Sequence, residues 1–263
     1  MKTAIATLAA GPKIKPIADL SLPLMIKYAD RTGSDFVSLS PVYSNRFLGI
    51  PNYEKLQILD LLEYYDRVAF IDADTLISPR APSLFEIVNH DHLGVFIASR
   101  YSDGHNPSIK AILGELGEIQ WRRESRNPEI YQSFNSGVIV LNREIGRVFA
   151  REVHLAEKWA RFDLRGYFMS DQPFLNYLSQ KHSVPMQDIG FRYNHTLAPG
   201  VSSLRFCSYI IHYAGISHRE ANWFRRPSKA AKMSHDYWIL RSHVLSRLAK
   251  DHPPLVAFLD CLL

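Results

Sequence analysis

The chain has 263 residues, 46% of them hydrophobic, with 13 glycines, enough apolar material for one large α/β domain or two small ones and too much for a disordered or fibrous chain. Its two cysteines, Cys207 and Cys261, exclude a disulfide framework and a zinc site and fit a reducing, cytoplasmic setting, and no apolar run is long enough to span a bilayer. The formal charge of +5 is concentrated: between Arg219 and Lys250 eight basic residues meet two acidic ones, a basic stripe without the base-stacking motifs or recognition fold of a nucleic-acid-binding protein.

Residues 2–9 read as a buried first strand closed by a turn at Gly11-Pro12, and the apolar stretch 3–10 is short for a signal peptide. Residues 17–32 carry helical apolar spacing, with Pro23 expected to kink or break the helix and Gly33 to end it. A second strand is expected at 35–39 and a helix at 52–62, with Asn52 as its N-cap. The apolar run 68–71 has strand length and stops at Asp72. A short helix at 82–88, a strand at 94–98 and a buried strand at 134–141 follow. A long helix is expected over 145–162, another over 171–180 with Pro173 in its first turn, and a late strand over 207–213. Strands alternating with helices, without an internal repeat, imply an α/β fold on a mostly parallel sheet. No linker stands out before about residue 218, so the reading is one domain over 1–218 and a basic amphipathic tail over 219–263.

Asp72-Ala73-Asp74 directly follows a strand, where open α/β sheets bind their ligands. Two carboxylates separated by one small residue can both reach one hard cation, and oxygen ligands suit magnesium or manganese. Such a pair also arises by chance in a solvated turn; here the apolar run ends in the pair and Thr75-Leu76-Ile77 resumes it, which favours a built site. His212 lies in Ile210-Ile211-His212-Tyr213-Ala214-Gly215. Alone, a histidine in an apolar strand is more often a satisfied core residue than a ligand. Gly215 suits a close backbone approach to phosphate, and the two together suit a third ligand beside a phosphate contact. In Phe134-Asn135-Ser136-Gly137-Val138, Asn135 and Ser136 stand at the edge of a buried strand, where an asparagine needs a partner, either a sugar hydroxyl or a structural hydrogen bond. Asp171-Gln172 opens a helix, where an acid is favoured on electrostatic grounds alone. Asn89-His90-Asp91-His92 reads as a polar loop rather than a metal cluster.

Taken in order, Tyr53-Glu54-Lys55-Leu56, the run from Tyr65 through Asp72-Ala73-Asp74 to Leu76, Phe134-Asn135-Ser136-Gly137-Val138, Asp171-Gln172 and His212-Tyr213-Ala214-Gly215 form a series that resembles the family 8 glycosyltransferases, the group that includes glycogenin and bacterial lipopolysaccharide galactosyltransferases. The resemblance covers roughly residues 2–224. It implies a GT-A fold, with a Rossmann-like, mostly parallel central sheet flanked by helices, and a retaining transfer from a UDP-sugar to a glycan, lipid-linked or protein acceptor. It makes Asp72, Asp74 and His212 the ligands of Mn2+, with Mg2+ as the alternative ion. It matches Lys55 to the basic residue that contacts the donor, Asn135, Ser136 and Asp171-Gln172 to positions lining the sugar and its reacting carbon, and Gly215 to a backbone contact with the diphosphate. One position departs. The family commonly has a lysine three residues after that glycine, followed by proline and tryptophan, whereas Gly215 is followed here by Ile216-Ser217-His218-Arg219. His218 and Arg219 are expected to replace that lysine as the grip on the diphosphate.

The chemistry suits these residues independently. Charge builds on the outer phosphate of the leaving nucleoside diphosphate, and a divalent metal with fixed cations stabilises it most in the transition state. Asp171 fits both an attacking and a steadying role. A nicotinamide oxidoreductase would need a glycine-rich turn after its first strand, and Gly11-Pro12-Lys13 offers one glycine. A non-catalytic sugar-binding relative is opposed by the complete set of Asp72, Asp74 and His212 and kept in play by His218. The polar stretch 100–127 is the expected acceptor surface. In the tail, Tyr237, Leu240, Val244 and Leu248 recur at helical spacing, with Trp238 beside them and Arg241, Arg247 and Lys250 elsewhere. That pattern fits a helix lying peripherally on the inner face of a membrane, or one packed on the body with a solvated basic face.

Overall fold

The computed structural model describes residues 1–9, 14–40, 51–101, 119–162, 171–196, 202–214, 228–254 and 256. The chain opens with strand β1 (Thr3–Leu8), helix α1 (Lys15–Thr32) and strand β2 (Asp35–Leu39). Helix α1 runs through Pro23 instead of breaking there. Pro23 is exposed, so the carbonyl it deprives of a partner sits on the face that water can serve. Gly33 ends the helix in the left-handed conformation, φ 65°, which glycine adopts without strain. The helix expected over 52–62 is a 3-10 turn over Pro51–Gln57 followed by a single α-turn, α2 (Ile58–Leu61). Asn52 lies inside that turn rather than capping it, because Pro51 already starts it. Strand β3 (Arg67–Ile71), strand β4 (Thr75–Ile77), helix α3 (Leu84–Ile87) and strand β5 (Leu93–Phe96) come next. The 89–92 segment is the surface turn before β5, with Asp91 paired to His92.

Strands β6 (Arg123–Glu124) and β7 (Asn127–Tyr131) make a hairpin, and β8 (Asn135–Asn142) follows. The long helix expected over 145–162 is two, α4 (Arg143–Glu152) and α5 (Leu155–Phe162). In one straight helix Trp159 would lie about 80° round from Phe149; the break lets both enter the core. Helix α6 (Asp171–Lys181) and strands β9 (Met186–Asp188), β10 (His195–Thr196) and β11 (Ile210–His212) lead to helices α7 (Lys229–Arg241) and α8 (His243–Asp251). The late strand is shorter than expected because Ser202–Cys207 forms a 3-10 turn ahead of it.

The main sheet has the order β2-β1-β3-β8-β5-β9, and β8 alone runs against its neighbours. Its central strands are buried on both faces with a period of two, as a sheet sandwiched between helices requires. Val68, Phe70, Ile139 and Leu141 enter one core with Ile145, Phe149, Trp159 and Phe174 of α4, α5 and α6. Ala69, Ile71, Val138 and Val140 enter the other with Ile17, Met25 and Tyr28 of α1. The fold is therefore the Rossmann-like α/β architecture expected, with its parallel strands all ending at one edge. From that edge β4 departs to join a small sheet of order β10-β11-β4.

Helix α7 adds Met233, Ile239 and Leu240 to the core on the α1 side. Ser242 separates α7 from α8 and caps the latter. The apolar stripe expected in the tail is thereby divided: Leu240 is buried, while Trp238, Val244, Leu245 and Leu248 are exposed. Among the described residues no helix is long and apolar enough to cross a membrane.

Candidate active site

The strand edge assembles three of the expected residues by backbone pairing. Asp72 is the first residue past β3, and its N–H donates to the carbonyl of Gly137 in the adjacent β8, 2.8 Å away. The Thr75 hydroxyl donates back to the Asp72 carbonyl at 2.9 Å, and Tyr213 N–H donates to the Asp74 carbonyl at 2.9 Å. Antiparallel pairing of β4 with β11 sets His212 opposite Thr75. Asp72, Asp74 and His212 thereby each offer a ligand atom within 4.8 Å of the others. His212 Nε2 lies 3.6 Å from Asp72 Oδ2 and 3.3 Å from Asp74 Oδ1. Two carboxylate oxygens and an imidazole nitrogen, on backbone fixed by the two sheets, form a donor set that fits a divalent cation. Gly137 is needed for this approach, since a Cβ there would stand 2.1 Å from the His212 ring.

The imidazole is oriented from behind. His212 Nδ1 donates to Asn194 Oδ1 at 2.8 Å, which turns Nε2 toward the carboxylates. Asn194 Nδ2 donates to Asn135 Oδ1 at 2.8 Å, and Asn135 Nδ2 donates to Gln172 Oε1 at 3.0 Å. Gln172 Oε1 also accepts Ser136 N–H at 3.2 Å. One chain of amides therefore links His212 to the start of α6. Asn194 is buried and has no counterpart among the residues expected from sequence. It lies in an irregular segment between a 3-10 turn and β10, where no periodicity singles out one residue.

Lys55 joins the strand edge to α6. Its ammonium donates to Asp171 Oδ2 at 2.7 Å and to the Ser136 carbonyl at 3.0 Å, and it lies 3.2 Å from Asp72 Oδ1. Ser136 Oγ also donates to Asp171 Oδ2, at 2.8 Å. Burial disfavours the charge on Lys55, but Asp171 and Asp72 outweigh it and hold its pKa above the usual lysine range. Burial pushes Asp72 up, only partly offset by Lys55 and His212. Desolvation also acts on the half-buried Asp74, yet His212 and Lys229 hold its carboxyl well below the usual range. Lys229, on α7, was not among the expected site residues; its ammonium is 2.5 Å from Asp74 Oδ2. Gly215, His218 and Arg219 lie outside the described residues.

Residues 18–218 match the family model described as glycosyl transferase family 8. The chain belongs to that family, and its α/β fold is the GT-A fold. A sequence comparison with curated proteins finds no significant match. Among solved structures, the chain is similar to a glycosyltransferase involved in glycosylation of the major capsid of PBCV-1, with 12% identity, a TM-score of 0.57, and coverage of 89% of this chain and 100% of that one. It is also similar to the glycosyltransferase GlyE of Streptococcus pneumoniae TIGR4, with 15% identity and a TM-score of 0.54 over 94% of this chain and 63% of that one.

Proposed function

We propose that this glycosyltransferase moves a sugar from a UDP-sugar to a hydroxyl of a glycan, lipid-linked or protein acceptor, with retention of configuration and with Mn2+, or alternatively Mg2+, held by Asp72, Asp74 and His212. The observation that carries this reading is the convergence of three ligand atoms at the sheet edge with a buried lysine beside them. When bound, the metal supplies positive charge to the departing diphosphate. Lys55 holds Asp72 and Asp171 in place and adds a cation to the same wall. Asn135 and Gln172 are partly accessible, which supports the reading that their amides contact the sugar and its reacting carbon. Asp171 is buried, with Oδ2 already taken by Lys55 and Ser136, which supports a steadying role over an attacking one. Gly215, His218 and Arg219 complete the phosphate end in this reading. The acceptor enters over the polar cleft lined by Ser99, Arg100, Tyr101, Glu124, Asn127 and Asp188, beside the ends of β5 and β9 on the same edge as the metal ligands.

Trp238, Val244, Leu245 and Leu248 are exposed, and Val244 and Leu248 line a groove with Arg80, His243, Arg247, Lys250 and Asp251; this mix of apolar and mainly basic residues supports peripheral contact with an anionic membrane on its cytoplasmic face. The function is tested by screening UDP-sugars for UDP release with and without Mn2+. Release that requires the metal, from one sugar above the rest, is the expected result. Absence of metal-dependent UDP binding and of turnover would overturn the reading.

A further inference from the structure

Lys229 belongs to α7, beyond residue 218 where the family match ends. Its side chain is nonetheless buried at the ligand cluster. The four carboxylate oxygens there are divided between two lysines and the imidazole. Asp72 turns Oδ1 to Lys55 (3.2 Å) and Oδ2 toward His212 Nε2 (3.6 Å). Asp74 turns Oδ2 to Lys229 (2.5 Å) and Oδ1 toward His212 Nε2 (3.3 Å). A cation seated on the His212 side therefore meets one oxygen of each aspartate while both lysines keep the other.

The position of Lys229 is built. Asp236 lies two helical turns further along α7, on the same face. Its carboxylate accepts Arg205 Nε at 2.6 Å, Arg205 Nη2 at 2.8 Å and the Tyr213 hydroxyl at 2.6 Å. Arg205 and Asp236 are fully buried, and Tyr213 directly follows His212. This clamp fixes α7 to the strand that carries the imidazole. Charge gives the arrangement its use. Asp72, Asp74 and Asp171 are faced by Lys55 and Lys229, which leaves the cluster one charge short of neutral. A divalent ion turns that deficit into an excess of one, a positive site that attracts the anionic diphosphate of a nucleotide.

We propose that Lys229 is a donor-binding residue: with metal bound, its ammonium contacts the diphosphate of the nucleotide donor, and α7 thereby completes the active site. This rests on the metal-dependent reading above. The test uses the full chain and measures Mn2+ binding alone, UDP binding at saturating Mn2+, and thermal melting, in wild type, Lys229→Met, Lys229→Gln and Lys229→Arg. Met and Gln should bind UDP about tenfold more weakly, yet bind Mn2+ alone at least as tightly as wild type, because a neighbouring like charge is gone. Arg should recover most of the UDP affinity. A purely structural lysine would lower both affinities together with the melting point, and that pattern in both Met and Gln overturns the proposal. Unchanged UDP affinity in both overturns it as well. If wild type binds no UDP in the presence of Mn2+, the donor reading itself fails and takes this proposal with it.

Discussion

Two parts of the molecule meet at Asp74 and are held by different forces. The strand edge that carries Asp72, Asp74 and His212 takes its geometry from backbone pairing: β3 to β8, and β4 to β11. Helix α7 reaches the same carboxylate from outside both sheets, and its place depends on side chains, the Arg205–Asp236 pair and the apolar contacts of Met233, Ile239 and Leu240. A site fixed by backbone ladders should lose chemistry, and little stability, when a ligand side chain is changed. A helix fixed by a buried ion pair should lose stability first and chemistry as a consequence.

The largest expected effect tests the first half of that contrast. Asp72→Asn and Asp74→Asn each remove a ligand charge without altering the backbone bonds around them. Donor turnover should fall on the order of 10^3-fold, with melting within a few degrees of wild type. Turnover within tenfold of wild type in either variant would remove that residue from the metal site.

The second half is tested at the clamp. Asp236→Ala removes the buried carboxylate that pairs with Arg205 and should cost about 3–5 kcal/mol of stability, read by denaturant or thermal unfolding. Burial raises the Asp236 carboxyl, but His235, Arg205 and Tyr213 outweigh this and hold it below its ordinary value. A carboxylate whose folded pKa is depressed contributes stability that is present above the unfolded pKa and lost as pH falls through the folded one. The stability gap between wild type and Asp236→Asn should therefore be widest near neutral pH and narrow as pH drops below about 4. A gap that does not change with pH would show that the clamp is not held by charge.

A smaller effect separates ligand from support within the strand edge. Asn194 accepts from the far nitrogen of His212 and donates to Asn135, so it acts on the ligand from behind. Asn194→Ala should weaken Mn2+ binding about 10–100-fold, less than loss of a ligand does. Gly137→Ala should act on the same ring by contact, since the added methyl needs the space of His212. Metal affinity equal to wild type in both variants would mean that His212 is not held by these neighbours.

The same contrast explains what was legible before the fold was known. Asp72 and Asp74 could be read because a strand-length apolar run stops at the pair and resumes after it. The parallel sheet could be read because its strands are buried on both faces and so lack polar alternation. His212 looked like an ordinary core histidine until its place in a series of motifs was considered; its register against Thr75 is a tertiary fact. Lys229 was illegible for a physical reason. In a segment rich in basic residues, one lysine on a helix reads as solvent-facing, and only the docking of α7 on the core decides otherwise. Asn194 and the amide chain through Asn135 and Gln172 likewise join residues that no local spacing relates. Pro23 misled because the rule against proline inside helices takes no account of which face the proline occupies.

The smallest effect concerns the outer face of the helices whose inner face reaches the site. Trp238, Val244, Leu245 and Leu248 are between 40% and 69% exposed, while Met233, Ile239 and Leu240 are committed to the core. The outer residues can therefore change without disturbing the clamp or Lys229. Arg80, Arg247 and Lys250 line the groove beside these residues together with one acid, Asp251, so basic groups outnumber acidic ones on this face. A surface of this kind gains about 1 kcal/mol per basic residue near an anionic bilayer, screened by salt. Val244→Glu combined with Leu248→Glu should lower co-sedimentation with phosphatidylserine-containing vesicles several-fold, with melting and UDP affinity unchanged. Wild-type binding should weaken as salt is raised and be lost on vesicles of neutral lipid. Equal sedimentation of wild type and the double variant, at low and high salt alike, would show that the exposed residues of α7 and α8 do not meet a membrane.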